Sequence, residues 1–176
     1  MRLLILASAL ALAACSDAGD PAGEASGDGS TPVAQASAQL GANGITLTGG
    51  AEDVLVAFGT PRAEAEATLV PLLGEPQSRD ANPECGAGPM EFSNYEGLTL
   101  NFQDGTLVGW FAKGAPYLPS ETRAELGDAA TPFADSTIGE EFTMGEREAI
   151  VSGLFASDDA DAPVTDLWAG TNCIFR

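Results

Sequence analysis

The chain has no histidine, and Lys113 is its one lysine among seven basic residues in 176. Without histidine, Ser–His and Cys–His couples cannot be assembled, and there is no imidazole to ligate a metal or to shuttle protons near neutral pH. The seven basic residues face 26 acidic ones, for a net charge of −19. Such a surface repels phosphate backbones and anionic headgroups, which excludes nucleic acid as the expected partner. No Walker loop or dinucleotide fingerprint is present, and no cofactor is expected. No apolar run reaches the ~18 residues of a membrane-spanning helix.

The longest apolar run is Leu3 to Leu12, behind Arg2. It has the length and flanks of an export signal rather than of a stable span. It ends in Leu12-Ala13-Ala14-Cys15, followed by Ser16 and Asp17. This pattern resembles the bacterial lipobox, whose cysteine receives a thioether-linked diacylglycerol before cleavage. Residues 1–14 are therefore expected to be a signal peptide and Cys15 the lipidated N-terminus, which cleavage frees for acylation. Two or more chains anchor stably where one does not. The expected place is the cell envelope, facing the periplasm, with the membrane contacted through the N-terminal lipid. Ser16 rather than Asp after Cys15 favours the outer membrane over the inner, by resemblance to enterobacterial sorting.

Removal of Arg2 leaves 6 basic and 26 acidic side chains, or 6 − 26 = −20. Residues 15–43 are rich in Gly, Ala, Ser, Asp and Pro, with only Val33 and Leu40 as larger apolar side chains. The spacing predicts a flexible linker averaging roughly 30 Å end to end. The globular domain is expected over 44–176.

That domain is organised around Gly97 to Phe111, GLTLNFQDGTLVGWF. Leu98, Leu100 and Phe102 alternate with Thr99, Asn101 and Gln103, the period of a half-buried strand. Asp104-Gly105 tolerates the two positive φ angles of a type I′ turn. Carrying the two-residue loop forward opposes Gln103 to Thr106, Phe102 to Leu107, Leu100 to Gly109 and Leu98 to Phe111. Trp110 then falls on the mixed face, either as partly covered packing or as a contact surface.

Further strands are predicted near Ile45–Thr48, Val54–Phe58 and Pro89–Tyr95, with Met90 and Phe92 on one side of the last. Thr60 and Pro61 suit the N-cap and first position of a helix carrying the stripe Ala65, Leu69, Leu72 and Leu73. Gly74 and Pro76 stop it, and Pro71 should kink it or set off its last turn. Arg79–Gly88 reads as a loop. Ser120 could cap a short helix through Leu126. Ala134–Phe142, Ile150–Phe155 and Val164–Trp168 follow, the last two pairing across the polar loop at 156–163. Arg62-Ala63-Glu64 and Arg123-Ala124-Glu125 echo each other near the two helix starts, an echo that a repeat or chance explains equally well.

With Cys15 lipidated, Cys85 and Cys173 remain, and in an oxidising compartment they are expected to form a disulfide. Two distant thiols without histidine make no metal site. Lys113 reads as solvated surface. Asp158, Asp159 and Asp161 lack the spacing of a calcium loop. Glu140 and Glu141 are adjacent, hence on opposite strand faces and poorly placed as an acid/base pair.

Phe58-Gly59-Thr60-Pro61, the Ala/Glu/Leu-rich helix, Leu73-Gly74-Glu75-Pro76 and the later strand pair resemble small envelope lipoproteins related to the outer-membrane assembly small lipoprotein. The resemblance implies a helix-and-antiparallel-sheet domain, a layout that occurs twice in tandem in beta-lactamase inhibitory protein. The second half departs from it by lacking a Gly-x-Pro helix stop, and the cysteines would bridge the halves. Glu84-Cys85-Gly86, Gly97-Leu98-Thr99-Leu100, Phe102-Gln103-Asp104-Gly105 and Gly109-Trp110 look like a group of bacterial lipoproteins, which implies export and gives no activity. The expected class is thus α+β: an antiparallel sheet on one or two short helices. A degenerate tandem of two helix-plus-sheet units, 44–118 and 119–176, stays open. The expected function is a lipid-anchored, non-enzymatic envelope protein that binds or scaffolds another protein. The alternative is a carboxylate-dependent hydrolase acting on envelope polysaccharide or peptide.

Overall fold

The computed structural model describes residues 36–174. The export segment, Cys15 and the first part of the linker lie outside the described residues. The fold is α+β, as expected. A three-stranded sheet holds β1 (Ser37–Gly41), β2 (Gly44–Thr48) and β3 (Val54–Ala57). After helix α1 (Arg62–Leu73), an antiparallel meander follows: β4 (Ser78–Asn82), β5 (Met90–Tyr95), β6 (Leu98–Gln103) and β7 (Thr106–Lys113). The one-turn helix α2 (Arg123–Leu126) precedes a second meander: β8 (Thr131–Pro132), β9 (Glu140–Glu146), β10 (Ala149–Phe155) and β11 (Val164–Gly170). The meanders join through β7 and β11 into one eight-stranded sheet, ordered β4-β5-β6-β7-β11-β10-β9-β8.

The two meanders meet along β7 and β11, where Lys113 pairs with Asp166, Phe111 with Trp168 and Gly109 with Gly170. Each unit carries the same station. The Arg62 guanidinium lies 4.9 Å over Phe102 and pairs with Glu91 at 3.1 Å. The Arg123 guanidinium lies 5.3 Å over Phe155 and pairs with Glu140 at 2.7 Å. Glu91 faces Phe102, and Glu140 faces Phe155, in their ladders. The Arg-Ala-Glu echo falls at these two stations.

The central hairpin forms around Asp104 and Gly105, both at positive φ as a type I′ turn requires. The pairs Gln103↔Thr106 and Phe102↔Leu107 also form. Beyond them the expected register fails. Val108 is an extra residue, so Asn101 faces Gly109, Leu100 faces Trp110 and Leu98 faces Ala112. One bulge moves every later side chain of β7 to the opposite face. Trp110, expected on the mixed face and weighed as a contact surface, is instead fully buried, and its indole N–H donates to the Gly41 carbonyl at 2.8 Å. Phe111 takes the outward position. Thr165 is the matching extra residue in the second unit, where Leu154 faces Asp166 and Phe155 faces Val164.

One face of the large sheet carries Leu98, Leu100, Phe102, Leu107, Trp110, Ala112, Phe142, Phe155 and Leu167, packed with Ala65 and Leu69 of α1 and with Ile45 and Val56 of the small sheet. Several boundaries differ from expectation. The linker does not reach Asn43, because β1 pairs along β2 from Ser37, with Ala38 and Leu40 against the core. A backbone ladder needs no large side chains, so composition hid it. Ser78–Asn82 is a strand rather than loop, with polar side chains because it is an exposed edge. Pro61, not Thr60, is the N-cap of α1, and Pro71 is held inside the helix. Thr122, not Ser120, caps α2 through a capping box with Glu125.

Replacement of Trp110 by alanine removes a large core side chain and leaves the Gly41 carbonyl without its donor. W110A is expected to lower the unfolding free energy by about 3–5 kcal/mol or to prevent folding, measured by urea titration.

Candidate functional site

The two faces of the large sheet are unequally covered. The core face is closed by α1, α2 and the small sheet. The opposite face carries Phe92 of β5, Thr99 and Asn101 of β6, Phe111 of β7, Trp168 of β11 and Ser152 of β10, as alternation and register dictate. Phe111 and Trp168 stack at the β7–β11 seam, with centroids 6.3 Å apart and planes at 18°. Phe92 and Phe111 are partly buried, and Trp168 is largely buried. Beside them, Lys113 reaches Asp166 at 3.7 Å from a solvated position, as a lone surface lysine should.

A short tail, residues 171–174, crosses this face over the first unit. The Thr171 N–H donates to the Val108 carbonyl at 2.7 Å, the group that the bulge turns outward. Asn101 Nδ2 donates to the Thr171 carbonyl at 3.1 Å and to Asn172 Oδ1 at 2.6 Å. Gly109 admits the tail, since a Cβ there would stand 2.2 Å from the Thr171 carbonyl oxygen. Cys173 is bonded to Cys85 of the β4–β5 loop, with Cα atoms 5.4 Å apart. The expected disulfide is present, and it ties the end of the second unit to the first. A cavity of about 310 Å³ remains under the tail, lined by Phe92, Thr99, Asn101, Phe111 and Ile174 among others.

The ionisable groups gather on the other side, between α1, β4 and β5. Glu66 accepts from Arg79 at 2.7 Å, from Arg62 at 3.1 Å and from the Ser93 hydroxyl. The Arg79 guanidinium first, then Ser93 and Arg62, overcome burial and hold the Glu66 carboxyl down at about 2. Arg62 also donates to the Phe92 carbonyl at 3.0 Å, so the network clamps α1 to the sheet. Glu125 is likewise lowered, first by the Thr122 backbone N–H and then by its hydroxyl. Both shifts keep the carboxylate charged, the reverse of what a general acid needs. Glu140 and Glu141 lie on opposite faces, the first paired with Arg123 and the second buried. Asp159 is held by Ser157 in the loop after β10, beside Asp158 and Asp161. Burial pushes the Tyr95 phenol up to about 12, with Glu66 adding to the shift.

Sequence reasoning placed Cys85 and Cys173 correctly and put Trp110 on the wrong face. It missed Phe111, Trp168 and Asn101 as a group. Their alternation was legible, but the bulge that brings Phe111 beside Trp168 was not.

Glu66 is depressed in the folded state, from about 4.5 to about 2. Its contribution is present above the unfolded value and is lost as pH falls from about 4.5 towards 2. E66Q is expected to flatten the pH dependence of the unfolding free energy in that window and to cost about 1–2 kcal/mol near neutrality, with screening at half-exposed Arg79 included. Comparison with known protein families, curated proteins and solved structures finds no match to this chain.

Proposed function

We propose that this chain is a lipid-anchored, non-enzymatic envelope protein that binds another protein through the outer face of its eight-stranded sheet. The supporting observation is the inequality of the two faces. One is closed by the chain's own helices and small sheet, whereas the other presents partly exposed Phe92 and Phe111 beside buried Trp168 and Asn101, with residues 171–174 alone, among the described residues, crossing it. Aromatic side chains offer large contact area at low entropy cost, and a flat sheet suits a protein partner better than a small substrate. The net charge of −19 favours approach of a basic partner and disfavours self-association. Cys15, by its lipobox position, holds the domain at the membrane through the linker, facing the periplasm and at the outer membrane in preference to the inner.

The binding reading predicts that F92A/F111A lowers crosslinked partner capture in cells by about tenfold or more while far-UV circular dichroism stays unchanged. Unaltered capture by the folded variant counts against this face. The anchor is tested separately. C15S should move the protein from the membrane to the soluble fraction, and intact mass of the membrane-extracted wild type should show lipid on Cys15 at the mature N-terminus. An unmodified Cys15 there removes the anchor from the reading.

A further inference from the structure

The tail crosses the proposed binding face beside Phe92 and Phe111 and serves one of its polar groups badly. Asn101 is 1% exposed. Its carboxamide nitrogen is used twice by the tail, on the Thr171 carbonyl and on Asn172 Oδ1. Its carboxamide oxygen has no hydrogen-bond partner among the described residues. A buried acceptor without a donor is a standing cost of the closed state. An extended peptide backbone offers both a carbonyl for Nδ2 and an N–H for Oδ1 on the same side chain, and residues 171–174 supply only the first.

The means of holding the tail is equally specific. Between Thr171 and Ile174 the covalent tie is Cys173, joined to Cys85. Asn82 Nδ2 reaches Cys173 Sγ at 3.4 Å. The Cys85 side is buried, whereas Cys173 is partly exposed. The fold on either side does not depend on the tail for its ladders, since β11 is paired with both β7 and β10 up to the turn.

We propose that residues 171–174 form a dithiol-sensitive strap over a peptide groove, and that cleavage of the Cys85–Cys173 bond frees Asn101, Phe92 and Phe111 for an extended peptide segment of a partner. This rests on the binding face proposed above and adds its regulation and the form of its ligand. The step balances with a dithiol as reductant. One thiolate attacks the sulfur of Cys173, the less buried of the two cysteines, the S–S bond breaks, and Cys85 leaves as a thiolate that takes up a proton. The second thiol of the reductant then attacks the mixed disulfide and releases Cys173 as a thiol. Two electrons and two protons pass to the protein, and the dithiol becomes a disulfide.

Hydrogen exchange of the full chain before and after dithiothreitol treatment tests the strap with no partner present. The expected result is a rise of about 100-fold in exchange at the Thr171 amide, with the β6, β7 and β11 amides unchanged. C85A/C173A provides a second route to the open state and should give the same pattern. A fluorescent peptide copying residues 169–174 and carrying C173S is then titrated. It should bind the reduced or C85A/C173A chain at least about tenfold more tightly than the oxidised chain. N101A in the open chain should abolish that binding.

Unchanged Thr171 protection after reduction shows that the non-covalent contacts alone close the strap, and overturns the switch. Simultaneous loss of protection across the sheet makes the disulfide a staple of the whole fold, and also overturns it. Equal peptide binding to oxidised and reduced chains, or none to the opened chain, overturns the groove. A strap that opens as described in a chain that captures no partner in cells leaves the switch standing and defeats only the protein-binding reading.

Discussion

The bulge at Val108 sets the arrangement on which the structure depends. It shifts β7 by one position against β6, so Leu100 rather than Asn101 faces Trp110. Trp110 then enters the core and anchors the small sheet through the Gly41 carbonyl. Phe111 turns outward against Trp168. The carbonyl of Val108 itself receives the first hydrogen bond of the C-terminal tail. The core, the outer aromatic pair and the tail's landing point thus share one inserted residue, as expected of a bulge that re-aims side chains near a site.

The same device recurs at Thr165, in the meander that joins the first through β11 and β7. In each meander an arginine at a helix start lies over a phenylalanine and against a glutamate, which orients that helix on the sheet. The two helices differ in length and burial. In the first, α1 runs for 12 residues and buries Ala65 and Leu69. In the second, α2 is a single turn of 4 residues and buries none of its own. The small sheet adds its apolar side chains to the shared core, so the large sheet has one closed face and one that the described residues cover only in part.

Electrostatics divides along the same line. Most basic residues are spent inside the protein's own contacts. Arg62 and Arg79 converge on Glu66, Arg123 on Glu140, and Lys113 on Asp166. What is left for solvent is strongly acidic. A domain of this kind repels its own copies and anionic surfaces, and the partly apolar sheet face is where that repulsion can be outweighed by burial.

Much of this was legible in the residues alone. Alternation over Leu98–Gln103 and the Asp104-Gly105 turn determined the central hairpin, because period and turn chemistry are local. With Cys15 set aside as the expected lipidation site, Cys85 and Cys173 were the one pair left, and the structure contains their disulfide. The Arg-Ala-Glu echo was legible, but only the structure places the two arginines over Phe102 and Phe155 and against Glu91 and Glu140, because those partners lie far along the chain. Tertiary structure alone decided the side on which Trp110 lies, the joining of β7 to β11 and the course of residues 171–174 over Asn101. Those outcomes depend on where one extra residue is inserted into a ladder, and Val108 bulges because the whole sheet and core gain by burying Trp110, a balance that no window of neighbouring residues contains.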